Sequence, residues 1–202
     1  MKHFMIVAAL FFAVAFTANG QKVAVKTNLL YDATATINLG FEFSLGNKVT
    51  LDISGNYNPW QFGNKEWKHW MVQPELRLWT CEKFEGSFFG LHGHFAEYSF
   101  GGFGFLPLAG YVNGDGFIGA NSHKEALKNA RYQGNLYGAG ISYGYHWIIG
   151  KRWSLEATIG AGFAIVNMER WPLAECGTAT KIDQKVYWGL TKVGLSLIYF
   201  IH

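Results

Sequence analysis

The stretch INLGFEFSLGNKVTLDISGNYNPW, residues 37–60, holds two alternations folded about a turn. Ile37, Leu39, Phe41, Phe43 and Leu45 share one phase; Asn38, Gly40, Glu42 and Ser44 share the other. After Gly46-Asn47-Lys48 the pattern resumes, with Val49, Leu51 and Ile53 set against Thr50, Asp52 and Ser54. Successive side chains of a strand point to opposite faces, so each run is a strand with one apolar and one polar face. What covers the apolar face, protein core or lipid, decides the class of protein.

Similar alternation marks about eight segments, near residues 22–34, 36–45, 49–58, 69–81, 86–98, 132–148, 153–166 and 186–201. In the first, Val23, Val25, Leu29 and Tyr31 share a phase. The connections at 46–48, 82–85 and 150–152 are tight, whereas those at 59–68, 99–131 and 167–185 are long. Short turns on one side and long loops on the other are the layout of an outer-membrane barrel. The link at 33–36 departs from it, being tight where a long-side loop is expected. Pro74 lies inside the fourth segment and cannot donate to a ladder, so a bulge or irregular register is expected there.

The charges divide by phase. The apolar phase carries only Glu97, at the long-loop end of its strand. The other phase carries Lys26, Asp32, Glu42, Asp52, Glu75, Arg77, His92, His94, His146, Glu156 and Lys192, among Gly, Ser, Thr and Asn. A soluble barrel has an apolar interior and a charged exterior; here small and charged residues share one face. A strand of about 10 residues tilted by about 45° spans roughly 23 Å, close to the apolar band of such barrels. The sequence therefore predicts an all-β fold: an eight-stranded antiparallel up-and-down transmembrane β-barrel of the OmpA/OmpX kind, with short periplasmic turns and longer extracellular loops. Tyr145, Trp147 and Trp153 are expected to form an aromatic girdle beside a tight turn, and Tyr57, Trp60, Trp67, Trp70 and Tyr187 another beside the long loops.

Charged residues make up only 15 % of the 202, aromatics reach 17 %, and Gly numbers 25; ordinary soluble domains carry about 25 % charge. A formal charge of +3 without a basic run excludes a nucleic-acid partner. Lys2, the apolar run 4–16 and the small residues Ala18-Asn19-Gly20 read as a secretory signal peptide over 1–20, leaving the barrel domain as 21–202. The run is shorter than a membrane-crossing helix needs. Cys81 lies beside a tight turn and Cys176 in a long loop, at opposite ends, so no disulfide is expected between them.

His92 and His94 form an H-x-H pair on one strand face, a spacing able to hold a metal. The interior of an eight-stranded barrel is filled by its own side chains. Glu42, Asp52, Glu75, Arg77, His92, His94, His146, Glu156 and Lys192 are accordingly expected to form a mixed-sign network that blocks an open pore, with no metal and no cofactor. Ser87, Ser142 and Ser154 with His92 and His146 are the raw material for a nucleophile, but no G-x-S-x-G motif occurs. In the longest loop, SHKEALKNA (122–130) reads as a short helix with a capping box from Ser122 to Glu125. The Gly-rich apolar stretch 100–117 before it folds over the mouth or meets a partner.

The blocks KTNLLYD, YNPW, WKHW, QPE and RWSLEATIG resemble a domain-of-unknown-function family of small outer-membrane β-barrels found chiefly in Bacteroidetes. The resemblance covers nearly all of the mature chain and brings no enzymatic residues. Relatives tend to carry a further cysteine in the last long loop, where this sequence has Cys176 alone. Some are joined to an OmpA-type peptidoglycan-binding domain, which a chain ending at its last strand is expected to lack. The final strand, with Leu195, Leu197, Tyr199 and Phe200, is similar to the C-terminal signature handled by the barrel-assembly machinery. The expected role is non-enzymatic: outer-membrane lipid surrounds the barrel, which supports the envelope or presents its long loops to a surface protein or glycan. A lipid-modifying enzyme and a soluble periplasmic ligand-binding barrel are the two alternatives.

Overall fold

The computed structural model describes residues 23–63, 65–102, 110–112, 116–118, 130–172 and 181–201. Ten strands and one short helix follow in order: β1 (Val23–Asn28), α1 (Leu29–Ala33), β2 (Ile37–Ser44), β3 (Val49–Phe62), β4 (Lys65–Trp79), β5 (Gly86–Gly101), β6 (Gly110–Val112), β7 (Gly116–Ile118), β8 (Ala130–Ile148), β9 (Trp153–Pro172) and β10 (Lys181–Phe200). Eight of them, β1–β5 and β8–β10, pair antiparallel with their neighbours, and β1 pairs with β10, so the sheet closes into a ring. The small hairpin β6–β7 adds to β10 at residues 187–189, an edge that β1 is too short to reach. No helix among the described residues is long and apolar enough to cross a membrane.

The phase read from the sequence holds around the ring. Ile141 is 69 % exposed, and Leu91, Phe89, Leu78 and Ile159 are also open on the outer face. Leu51, Leu76, Leu91, Ile141, Ala161 and Leu190 lie opposite one another in a continuous cross-strand row. The inner row beside it runs Asp52, Glu75, His92, Gly140, Gly162. A one-residue slip would exchange the two faces, so the pattern fixes the register.

Three segment boundaries change. The first strand ends at Asn28, and Leu29 and Tyr31 belong to α1 rather than to a strand face. Asn28 Oδ1 accepts from Leu30 N at 3.1 Å and caps the helix, while Asp32 accepts from Thr27 and Asn38. The link between the first two strands is thus a helical turn rather than a tight hairpin, and Asp32 lies outside the ring's inner phase. Asn28 also receives Leu195 N and donates to Val193 O, so its amide extends the β1–β10 ladder by a step. The stretch 59–68 is no loop: β3 and β4 stay paired out to Phe62 and Lys65. The strands flanking 167–185 likewise continue, with Lys181 opposite Arg170. Residues 119–129, where a helix is expected, and 173–180, with Cys176, lie outside the described residues. Of 100–117, described backbone includes β6 and part of β7.

Pro74 neither bulges its strand nor shifts its register. The β4–β5 ladder lapses at Gln73 and Pro74 and resumes unchanged, Val72 facing Phe95 before the gap and Glu75 facing His92 after it. A bulge occurs elsewhere, in β10, where the register shifts between Leu190 and Lys192. It reverses the phase upstream. Tyr187, expected in the outer girdle, is 5 % exposed and points inward, and Trp188 takes the outward place.

The remaining girdle residues sit at strand ends. Tyr145, Trp147 and Trp153 are exposed beside the turn around 149–152, with the Trp153 ring tilted against Tyr199, centroids 4.9 Å apart. Tyr57 and Trp60 are exposed near the opposite end, and Trp67 and Trp70 are half-buried there. Trp70 Nε1 donates to Glu97 Oε2 at 2.9 Å, which accounts for the single carboxylate on the apolar phase.

Candidate functional site: a charged layer inside the ring

The inner row places Glu42 opposite Asp52 and Asp52 opposite Glu75. Like charges directly across a ladder repel, so this row persists only with cations brought into it. Arg77 is the centre of that compensation. Its Nε donates to Glu75 at 2.7 Å, Nη1 to Glu42 and Glu156 at 2.8 Å each, and Nη2 to Asp52 at 3.1 Å and Glu156 at 3.0 Å. A guanidinium has five N–H donors in a fixed fork, and here five hydrogen bonds reach four carboxylates. Lys26 adds a bond to Glu42 at 2.6 Å and approaches Asp52 at 3.2 Å. Lys192 bonds Glu75 at 2.6 Å. All four carboxylates and Arg77 are almost fully buried.

Neighbouring residues make room for this layer. Gly40 lies opposite Lys26, and a Cβ there would stand 2.6 Å from the lysine Cγ. Gly90 faces Arg77, and its missing Cβ would meet the Glu75 carboxylate at 2.7 Å. Thr50 and Thr158 donate to Glu42 and Glu156. The β10 bulge turns Thr191 inward as well, where its hydroxyl meets His92 Nε2 at 2.9 Å and its carbonyl accepts from Gln73.

The end with the tight turns is closed by a different material. Trp79, Phe84, Phe88, Ala24 and Ile198 form a buried apolar cluster, with Phe200 packed on it. Phe84 reaches it from the turn by adopting a left-handed φ of 65°. Trp79 lies 4.9 Å from Phe88 and bonds Thr50, and the Arg77 guanidinium sits 4.3 Å over Phe88, so plug and charged layer touch. The expectation of a polar interior is thus corrected at this end. Trp79 and Phe88 already stand on the inward phase of their strands in the sequence, next to Arg77 and Gly90, which is the signal that was available.

Every residue expected in the network faces the interior, but not all join it. Glu42, Asp52, Glu75, Arg77, Glu156 and Lys192 are linked as described. Lys26, present on the inward phase but not grouped with them, is an equal member. His146 lies 3.8 Å from Glu156 and edge-on to Trp79. His92 and His94 lie side by side, ring centroids 5.9 Å apart. Among the described residues no group of three or more His, Cys, Asp or Glu is set to hold a metal. Ser142 and Ser154 hydroxyls have no hydrogen-bond partner among the described residues, and Ser87 bonds Tyr143 on the outer face, so no serine is joined to His92 or His146. Cys81 is an exposed free thiol at the tight-turn end.

The chemistry this arrangement performs is obstruction and cross-linking. Six strands (β1–β4, β9 and β10) are tied by one interior ion network, and the space beside it, lined by Asn28, Asn38, Asn56 and Gln73 together with Leu39 and Met71, is narrow. A family described as a protein of unknown function (DUF3575) matches residues 6–201. No curated protein and no solved structure matches the chain.

Proposed function

The chain belongs to this DUF3575 family, and from that premise we propose that it is a non-enzymatic β-barrel of the outer membrane, its lumen plugged, that supports the envelope or presents its long-loop end to a surface protein or glycan. The observation that carries the reading is the inversion of the ring: continuous apolar rows outside, an ion network of buried carboxylates inside. In a bilayer every backbone polar group needs an internal partner, and a closed ring of strands supplies it. Exposed Trp and Tyr at both ends of the apolar rows suit the two interfaces. Residues 1–20 provide the export signal, and the barrel-assembly machinery inserts the folded chain. At the long-loop end, the paired extension of β3 and β4 carries Lys65 and Lys68 beyond Trp70, a polar rim suited to contact, with Lys68 held by the buried Glu66.

The plug argues against a diffusion pore and against a ligand-carrying soluble barrel, because Arg77 and its four carboxylates occupy the axis where solute or ligand would lie. Extraction of cell envelopes with alkaline carbonate tests the proposal. The protein is expected to stay in the pellet and to run faster on SDS gels unboiled than boiled. Quantitative release into the supernatant would overturn it in favour of the soluble form.

A further inference from the structure

Two neighbouring cross-strand rows on the outer wall, at the long-loop end, differ sharply. Val72, Phe95, Tyr137, Ile165 and Val186 lie opposite one another and form the last apolar row. One step further out, the same strands present Trp70, Glu97, Asn135, Asn167 and Gln184. The step is two residues along each strand, about 5 Å at the usual rise and tilt. The polar groups of this second row are tied to their neighbours. Trp70 Nε1 donates to Glu97 Oε2, Asn167 Nδ2 to Asn135 Oδ1, and Gln184 Nε2 to Asn167 Oδ1, each at 2.9 Å. The chain of bonds breaks at one place, between Glu97 and Asn135, which face each other across β5 and β8. There Glu97 Oε1 and Asn135 Nδ2 have no hydrogen-bond partner among the described residues. Glu97 is exposed and Asn135 partly so.

The open pair has a definite chemistry. A carboxylate oxygen only accepts, an amide NH2 only donates, and a hydroxyl does both. Directly opposite residues hold their Cβ atoms about 5 Å apart. Two adjacent hydroxyls of a sugar ring therefore satisfy both ends at once: one donates to Glu97 Oε1, and the oxygen of the next accepts from Asn135 Nδ2. A phosphate would suit the amide but be repelled by Glu97, and an ammonium would suit only the carboxylate. Trp70 and Asn167 fix the far end of each group, so binding has little left to order. We propose that Glu97 and Asn135 bind two adjacent ring hydroxyls in the sugar headgroup of an outer-leaflet glycolipid. The inference rests on the transmembrane reading, which puts this row at headgroup height. The direct passage from exposed Tyr137 to Asn135, without an intervening polar step, favours a sugar carried on acyl chains over a free glycan.

The test uses the full mature chain refolded in phosphatidylcholine nanodiscs doped equally with monoglucosyl dimyristoylglycerol and plain dimyristoylglycerol. Native mass spectrometry then counts the lipid that stays bound after the disc is stripped. The wild type is expected to retain the glucolipid about tenfold over the plain lipid, the modest end for two hydrogen bonds at an exposed site. Asn135→Leu and Glu97→Leu, both on the outer face, are each expected to reduce the preference to about threefold or less, one bond being lost. Either variant serves alone should the other not fold. Ser87→Ala, on the outer face at the opposite end, is expected to keep the wild-type preference. Methyl glucoside in excess is expected to leave the glucolipid bound; its displacement would overturn the lipid-borne occupant in favour of a soluble glycan. Equal retention of the two lipids by the wild type, or wild-type preference in the Asn135 and Glu97 variants, would overturn the proposal. A heat-modifiable gel shift is read in every arm: an embedded protein without preference defeats the sugar site alone, whereas a protein that never embeds defeats the membrane reading and the site with it.

Discussion

Replacing Arg77 with alanine is expected to cost about 3–5 kcal/mol of folding free energy, the range for stripping one partner from a buried ion pair. The local arithmetic places it at the upper end. Four carboxylates, Glu42, Asp52, Glu75 and Glu156, face three cations, Lys26, Arg77 and Lys192. Without Arg77 the ratio becomes four to two, in a layer where Glu42 is 0 % exposed and cannot turn to water. Glu156 would keep the Thr158 hydroxyl at 3.0 Å but, for cations, only the longer approaches of Lys26 at 3.9 Å and His146 at 3.8 Å. Arg77→Lys restores the charge but not the fork, so it recovers only part of the loss. Urea titration of the protein in detergent or lipid, followed by tryptophan fluorescence, measures both variants. An Arg77→Ala midpoint equal to wild type would mean that the interior network does not hold the ring together.

The second large effect is expected at the apolar plug. Trp79→Ala removes a large buried side chain whose neighbours, Phe84 and Phe88, are fixed by the turn and the ladder, so the cavity cannot collapse and the cost is about 3–5 kcal/mol. The loss reaches past the plug. Trp79 Nε1 donates to Thr50 Oγ1, and Thr50 in turn donates to Glu42, so the substitution loosens one acceptor of Arg77 and admits water from the tight-turn end. Equilibrium unfolding gives the energy, and hydrogen exchange along β3 gives the water entry. Leu78→Ala is the control: Leu78 neighbours Trp79 but faces outward, and it is expected to leave exchange in β3 unchanged. Wild-type stability and exchange in Trp79→Ala would show that the plug is dispensable.

What the sequence disclosed was phase, because an alternation of period two is written locally and needs no knowledge of the partner strand. Glu42, Asp52 and Glu75 could be placed inside from their own strands alone. That they stand in one row, and that Arg77 is the group spanning them, depends on register, which is set by turns and pairings between distant segments. Tyr187 makes the point most sharply: its phase is correct for a regular strand, and the bulge between Leu190 and Lys192, invisible in the local pattern, turns it inward. Pro74 was legible as an irregularity but not in kind, since a missing N–H can be absorbed as a gap without a shift of register. Length misled at 59–68, where polar and aromatic residues suggested a loop although the strands remain paired. At the tight-turn end, Trp79 and Phe88 stand on the inward phase of their strands, but phase alone does not show that closure of the ring brings them together with Ala24, Phe84 and Ile198 as a plug.

Quenching of a fluorophore by brominated acyl chains tests most directly the claim that the outer face of this ring meets lipid. With Cys81 and Cys176 replaced by serine, bimane is attached in turn at Ile141→Cys and Leu91→Cys on the outer rows, and at Lys48→Cys in a tight turn as the control. In bilayers of brominated lipid, positions 141 and 91 are expected to lose most of their fluorescence relative to ordinary lipid, and position 48 to keep it. Equal fluorescence at 141 and 91 in the two lipids would contradict the account.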